Sequence, residues 1–188
     1  EEFEKSNIHI HLLNRVTKIL PVDKKIIVKD LNTNELKFVE YDKLVIATGS
    51  APRMTDFPDI KLKNIFTLRT LEDGVAIRET MRDVNNITII GGGYISIELL
   101  EAFVKNDKNV TLIEKMPYIL SVFDEDISSL IQSYILENCN NRVKLITDDI
   151  VSEFIGEEKV SGVLTAKGSG FETDMVVISA GVRPVVDI

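Results

Sequence analysis

The residues best placed to do chemistry are Gly91-Gly92-Gly93. They follow the apolar run Ile87-Thr88-Ile89-Ile90 and precede a segment, Tyr94 to Val104, with Ile95, Leu99, Leu100 and Phe103 at helical spacing. A glycine turn that joins a strand to a helix suits a phosphate group. Gly91 permits the tight turn, and Gly93, without a Cβ, lets a pyrophosphate approach the backbone. The helix start then offers unpaired N–H groups and a partial positive charge. Ser96 stands where a third glycine is usual and is small enough for close packing of helix on strand. Alone, the turn also reads as a structural loop that binds nothing. Glu114 weighs against that reading: it ends the next apolar run, Val110-Thr111-Leu112-Ile113, 23 residues after Gly91, near the roughly 20 expected of an acid that accepts from an adenosine ribose. As a simple strand-end acid it would only be solvated. On the ribose it would repel the extra phosphate of NADP. Two like charges at ~4 Å and an effective dielectric of ~20 cost about 4 kcal/mol, on the order of a thousandfold in affinity. Lys115 beside it offsets part of this. The expected ligand is NAD(H) in preference to NADP(H), with some NADP(H) use.

These residues need elements to position them. Residues 87–90, 110–113 and 143–146 read as buried parallel strands, alternating with helices over 94–104 and 124–138. Met175 to Ser179 reads as a last buried strand before Ala180-Gly181. A further helix is expected over 71–83 through Leu71, Val75, Ile77 and Met81. Residues 150–172 read as three short antiparallel strands with turns near 156–158 and 167–170. Toward the N-terminus, Ile8 to Leu12 alternates with period two, and 24–28 and 35–41 are β-prone runs about the turn-forming Asn32-Thr33-Asn34. Leu44-Val45-Ile46-Ala47 reads as a fully buried strand ending at Thr48-Gly49-Ser50, and 51–64, with Pro52 and Pro58, as a connection. The fold class is α/β.

The chain repeats itself once. Tyr41 to Gly49 aligns without gaps to Thr173 to Gly181, and Pro52-Arg53 after the first copy is matched by Arg183-Pro184 after the second. Two related units, each closed by the same strand, are expected. Gly181 lies 90 residues after Gly91. The same interval before Gly49 falls upstream of Glu1, so the first unit's glycine turn is expected outside this sequence.

Composition excludes several classes. Of 188 residues 44% are apolar and 28% charged, ordinary for a globular protein. A net charge of −8 and a pI near 4.9 argue against a nucleic-acid partner. No apolar run approaches the roughly 18 residues of a membrane span. The start, Glu1-Glu2-Phe3-Glu4-Lys5, is neither a signal peptide nor an initiator Met, so the chain is expected to begin within a longer protein. The single cysteine, Cys139, forms no internal disulfide, which fits the cytoplasm; beside Asn138, Asn140 and Asn141 it reads as an ordinary thiol. His9 and His11 read as packing or surface residues and Asp124-Glu125-Asp126 as a helix start, so no metal site is expected.

Taken together, YDKLVIATGSAPR, IIGGGYISIE, VTLIEK and VISAGVRP resemble the FAD-dependent pyridine nucleotide-disulfide oxidoreductases. The similarity is greatest to the branch of NADH oxidase, NADH peroxidase and coenzyme A disulfide reductase. The resemblance implies a Rossmann-like NAD-binding domain, with parallel sheet, helices and antiparallel β-meander, over 67–181. Residues 1–66 would be a partial FAD-domain segment and 182–188 the start of the return to that domain. It further implies that Gly91, Gly93 and Ser96 hold the pyrophosphate, with Gly92 and Ile95 also in the NAD site. Glu114 and Lys115 would lie at the adenosine ribose, and Glu98 and Gly181 near the nicotinamide. Tyr94 would screen the flavin until nicotinamide displaces it, and Thr48 and Gly49 would touch FAD in the full-length protein. No catalytic residue is implied in this chain, since the redox cysteine lies upstream in that family. The implied activity is hydride transfer from NADH to FAD and on to a disulfide, peroxide or oxygen, in a homodimer formed through a C-terminal domain; this chain alone would be inactive. Two alternatives stay open: a ferredoxin- or rubredoxin-type reductase, and a non-catalytic NAD-binding module, which has no need of the second closing strand at 41–49. Residues 1–47, packed in the parent on strands encoded upstream, are expected to show exposed edges that favour association.

Overall fold

The computed structural model describes residues 5–54 and 60–188, so part of the expected 51–64 connection, including Pro58, lies outside the described residues. The chain divides into two compact units: residues up to Gly49 together with Pro184–Ile188, and Ser50–Arg183.

The smaller unit is an antiparallel sheet, β1 (Asn14–Leu20), β2 (Lys25–Asp30) and β3 (Leu36–Glu40), in the order β1-β2-β3. Two expectations fail here. Residues 8–12 are not a strand. They are exposed, and the chain turns at Leu13 (φ +55°) before β1 begins. The strand at 14–20 escapes a period-two search because its register shifts between Val16 and Lys18. Nor is 44–47 a buried strand. Among the described residues it pairs with nothing, and Val45 is 86% exposed. All five residues of β3 are exposed, leaving an open sheet edge.

In the larger unit a short strand β4 (Ser50–Pro52) overlaps the start of the expected connection, and β5 (Ile65–Thr67) follows directly after its end. Then follow helix α1 (Leu71–Met81), β6 (Asn86–Ile90), helix α2 (Tyr94–Lys105), β7 (Asn109–Ile113), helix α3 (Glu125–Asn138) and β8 (Val143–Ile146). The meander β9 (Val151–Gly156), β10 (Val160–Thr165) and β11 (Gly170–Glu172) precedes β12 (Met175–Ile178) and β13 (Val182–Pro184). Strands β5-β12-β6-β7-β8 form a parallel sheet in that order. The fold is α/β, as the sequence reads.

Alternation along the sheet builds the core on both faces. Ile87, Ile89, Leu112, Met175 and Val177 point to one face, where they pack with Ile77 of α1, Leu100 and Phe103 of α2 and Ile135 of α3. Ile90, Ile113, Val176 and Ile178 point to the other, against Val151, Val160 and Val163 of the meander. Because both faces are covered, these strands read as continuous apolar runs. Thr70 caps α1 in a reciprocal capping box with Asp73, and the backbone N–H groups of Thr70, foremost, and Arg69, both donating to Asp73 Oδ2, hold that carboxyl below its ordinary range. Asp124 precedes α3, with Glu125 and Asp126 in its first turn, the acidic start expected there.

The helical faces differ in detail from the expectation. Leu71 and Val75 are exposed, and only Ile77 of α1 is buried. On α2 the buried residues are Ser96, Leu100 and Phe103, while Ile95 is exposed. The side facing the sheet is set by how α2 leaves the glycine turn, and that exit rotates the apolar stripe away from Ile95.

Candidate functional site

Three strands end side by side and their next residues converge. Ser179–Gly181 follow β12, Gly91–Gly93 follow β6 and Glu114–Met116 follow β7. Between them opens a cleft of about 570 Å3, completed by Arg53, Leu120–Val122 and Asp149–Val151. That volume suits a sizeable ligand, and the carboxyl ends of parallel strands are where such sheets bind ligands. The ladder staggers the turns: Gly91 N–H donates to Ile113 O (2.8 Å), Glu114 N–H to Ile146 O (2.8 Å) and Ser179 N–H to Ile90 O (2.8 Å).

Each glycine of the turn has a different reason to be glycine. Gly91 has φ +100°, and a Cβ there would stand 2.5 Å from Ser179 O, a clash with backbone. Gly92, given no separate role by sequence reasoning, is wedged: a Cβ would lie 3.1 Å from the Glu114 side chain and 3.1 Å from Ile119 Cγ2. Gly93 faces open space and is the N-cap of α2, without a side-chain cap. The first intrahelical bond there is Ile97 N–H to Gly93 O (3.2 Å), so the N–H groups of Tyr94, Ile95 and Ser96 fall in the first turn, which has no intrahelical acceptors.

Glu114 does more than mark a strand end. Its Oε2 accepts from Gly92 N–H (2.5 Å) and its Oε1 from Met116 N–H (2.7 Å). The acid at the second strand therefore ties down the glycine turn. Leu120 N–H donates to Gly92 O (2.7 Å), so Gly92 is held at both ends.

Of the residues singled out from sequence, Gly91, Gly92, Gly93, Tyr94, Glu114, Lys115 and Gly181 line the cleft together. Gly181, at φ +98°, accepts from Arg53 N–H (3.0 Å). Ser96 lies beneath the turn, fully buried, and its Oγ has no hydrogen-bond partner among the described residues. Ile95 and Glu98 are exposed and their side chains do not line the cleft, so Ile95 is placed to contribute only its backbone N–H. Thr48 and Gly49 belong to the smaller unit: the Thr48 hydroxyl donates to Val185 O, Val185 N–H donates to Gly49 O (3.0 Å), and Gly49 has φ +74°. Cys139 is half-buried at the end of α3, and burial pushes its thiol up, away from the reactive thiolate. His9 and His11 are exposed.

Sequence reasoning missed Leu120, Arg53 and Asp149. Leu120 carries no signal in its type. Arg53 was visible only as part of the repeat. Asp149 stands three residues beyond β8, without the strand-end spacing that marks Glu114 after β7. Burial pushes the Asp149 carboxyl up, but bonds from the Thr165 hydroxyl and the N–H groups of Ile150 and Lys167, with the Lys167 charge, outweigh it and hold the acid below its ordinary range. A carboxyl lowered on folding stabilises above its unfolded pKa, and loses that contribution as pH falls through the folded value. The stability gap between wild type and Asp149→Asn, read by urea unfolding, should be constant from about pH 7 to 5 and shrink below about pH 4. A gap independent of pH would contradict this.

The sequence profile of the pyridine nucleotide-disulphide oxidoreductases matches residues 1–188, the whole chain. The chain belongs to that family. Among its relatives, an NADH oxidase of Enterococcus faecalis is 32% identical over 100% of the chain and 42% of its own length. An NAD(P)H coenzyme A polysulfide/persulfide reductase of Pyrococcus horikoshii is 34% identical over 98% of the chain and 40% of its own length. The chain thus spans about two fifths of the curated relatives it matches. The solved water-forming NADH oxidase of Lactobacillus brevis, bound to NADH, superposes with a TM-score of 0.87 at 29% identity, covering 99% of this chain and 41% of that one. Among the described residues of this family member, no helix is long and apolar enough to cross a membrane.

Proposed function

We propose that this chain is the NAD(H)-binding portion of a flavoprotein oxidoreductase that passes hydride from NADH to FAD and on to a disulfide, peroxide or oxygen. The observation that carries the reading is the cleft at the strand ends, with the uncapped start of α2 on one wall and the Glu114 carboxylate on the next. The donor set fits a pyrophosphate: Gly93 leaves space, and the first-turn N–H groups of Tyr94, Ile95 and Ser96 supply donors without a competing cap. Glu114 and Lys115 take the adenosine ribose end, and Gly181 and Tyr94 lie toward the nicotinamide, whereas Glu98, outside the cleft lining, takes no contact there. When bound, nicotinamide supplies the hydride and flavin accepts it; the chain's own residues bind, orient and exclude water. Thr48 and Gly49 touch FAD in the full-length protein.

In this reading residues 67–181 are the NAD(H) domain, residues 1–66 and 182–188 belong to an FAD domain, and the full-length protein is a cytoplasmic homodimer. The acceptor differs among relatives, and in this family it is set by the redox cysteine and segments beyond this chain. A calorimetric titration with NADH and, separately, NADPH tests the ligand, on protein checked for a yellow flavin spectrum. Saturable NADH binding at least about tenfold tighter than NADPH is expected, and equal dissociation constants would sink the NAD preference. In the full-length protein, NADH without oxygen should bleach the flavin; an unchanged spectrum would sink the hydride transfer.

A further inference from the structure

The loop between β7 and α3 is tied to the helix behind it and to the glycine turn in front. Ile119 N–H donates to Gln132 Oε1 (2.9 Å), the Ser128 hydroxyl to Leu120 O (3.2 Å), and Leu120 N–H to Gly92 O (2.7 Å), with Leu120 in the left-handed region at φ +50°. Phe123 N–H closes back on Leu120 O (2.9 Å). This sets the Phe123 ring against Tyr94, edge to face, with centroids 5.8 Å apart and planes at 89°. Tyr94 lines the cleft and Phe123 does not, so Phe123 grips the tyrosine from outside. Both rings are partly exposed, Tyr94 by 55% and Phe123 by 43%.

We propose that Phe123 is a positioning residue for the dinucleotide's nicotinamide end: it holds the Tyr94 ring back as a wall of the cleft and keeps the ring's swing space open to the ligand. This rests on the dinucleotide reading of the cleft. An edge-to-face pair shifts the population of the held-back rotamer by about two- to tenfold. A site that is competent only part of the time binds more weakly by that fraction. The adenosine part lies by Glu114 and the pyrophosphate by Gly93 and the first-turn N–H groups of α2, and neither needs the place of the tyrosine ring. Ring position therefore affects NADH and spares a ligand without nicotinamide.

The test measures NADH and ADP-ribose binding by calorimetry and stopped flow in the full-length protein, its Phe123→Leu variant and its Phe123→Tyr variant. Phe123→Leu should slow NADH association and weaken NADH binding about three- to tenfold, leave ADP-ribose within about twofold, and Phe123→Tyr should restore NADH binding. Equal loss for both ligands would mean that Phe123 only supports the loop, and overturns the proposal, as does an unchanged NADH affinity in Phe123→Leu. A wild type that binds neither ligand overturns the proposal together with the dinucleotide reading. A wild type that binds both while Phe123→Leu has no effect overturns the proposal alone.

Discussion

Replacing Gly91 by alanine should cost on the order of 3–5 kcal/mol of stability, the largest effect expected of any single change in the cleft. Two terms add. The backbone at φ +100° is one that side chains rarely adopt, which alone costs about 1–3 kcal/mol. The new Cβ would also stand 2.5 Å from Ser179 O, and that carbonyl follows β12, whose four residues are all buried and whose Val176–Ile178 pair on both sides. Neither the turn nor the strand can move without breaking ladder bonds. Against a typical total of 5–15 kcal/mol this is a large fraction. Gly93→Ala is the matching control. Its φ of −81° suits alanine and its Cβ would meet nothing within 4 Å, so stability should change by less than about 1 kcal/mol. The methyl group would stand in the space proposed for the pyrophosphate, and NADH affinity should fall about tenfold or more. Urea unfolding separates the two variants and calorimetry reads the ligand. A Gly91→Ala protein as stable as wild type would refute the steric account, and full NADH affinity in Gly93→Ala would refute the placement of the pyrophosphate.

Glu114→Ala should change both stability and cofactor choice. The carboxylate accepts from the buried Gly92 N–H and from Met116 N–H, so its loss leaves two donors without a partner and should cost about 2 kcal/mol. Removing the charge also removes the repulsion of the extra phosphate of NADPH. The Coulomb estimate puts the ceiling near a thousandfold, and Lys115, which lines the same cleft, would then face that phosphate without opposition. The ratio of NADPH to NADH affinity should rise by about a hundredfold. Glu114→Gln keeps an acceptor for one of the two N–H groups while discarding the charge. It should therefore shift the ratio in the same direction with a smaller loss of stability. Dissociation constants for both cofactors, measured on all three proteins, decide the matter. A ratio unchanged in both variants would show that Glu114 serves the turn alone.

What could be read from the sequence was what short stretches of backbone determine. The strand, glycine turn and helix over 87–104 carry their own instructions: apolar runs, positions without a Cβ, and a helix start. The 23-residue spacing of Gly91 and Glu114 follows from the length of one helix and one strand, so the acid and the turn arrive at the same sheet edge. The repeat of Tyr41–Gly49 in Thr173–Gly181 was also legible, and both copies do end in a left-handed glycine, Gly49 at φ +74° and Gly181 at φ +98°. Burial was not legible. Val45 is 86% exposed and its counterpart Val177 is 0% exposed. Asp174 accepts from Asn85 N–H (3.1 Å) and Asn86 N–H (2.8 Å), while its counterpart Asp42 sits at an exposed bend. The residue types are nearly the same; the neighbours are not. Thr173–Gly181 enters between β5 and β6, and residues 44–47 pair with no strand among the described residues. The wedge at Gly92 and the tie from Leu120 had no sequence signal for the same reason. Local sequence sets which conformations a segment can adopt, whereas burial and enclosure depend on contacts with distant parts of the chain, and only the tertiary structure supplies those.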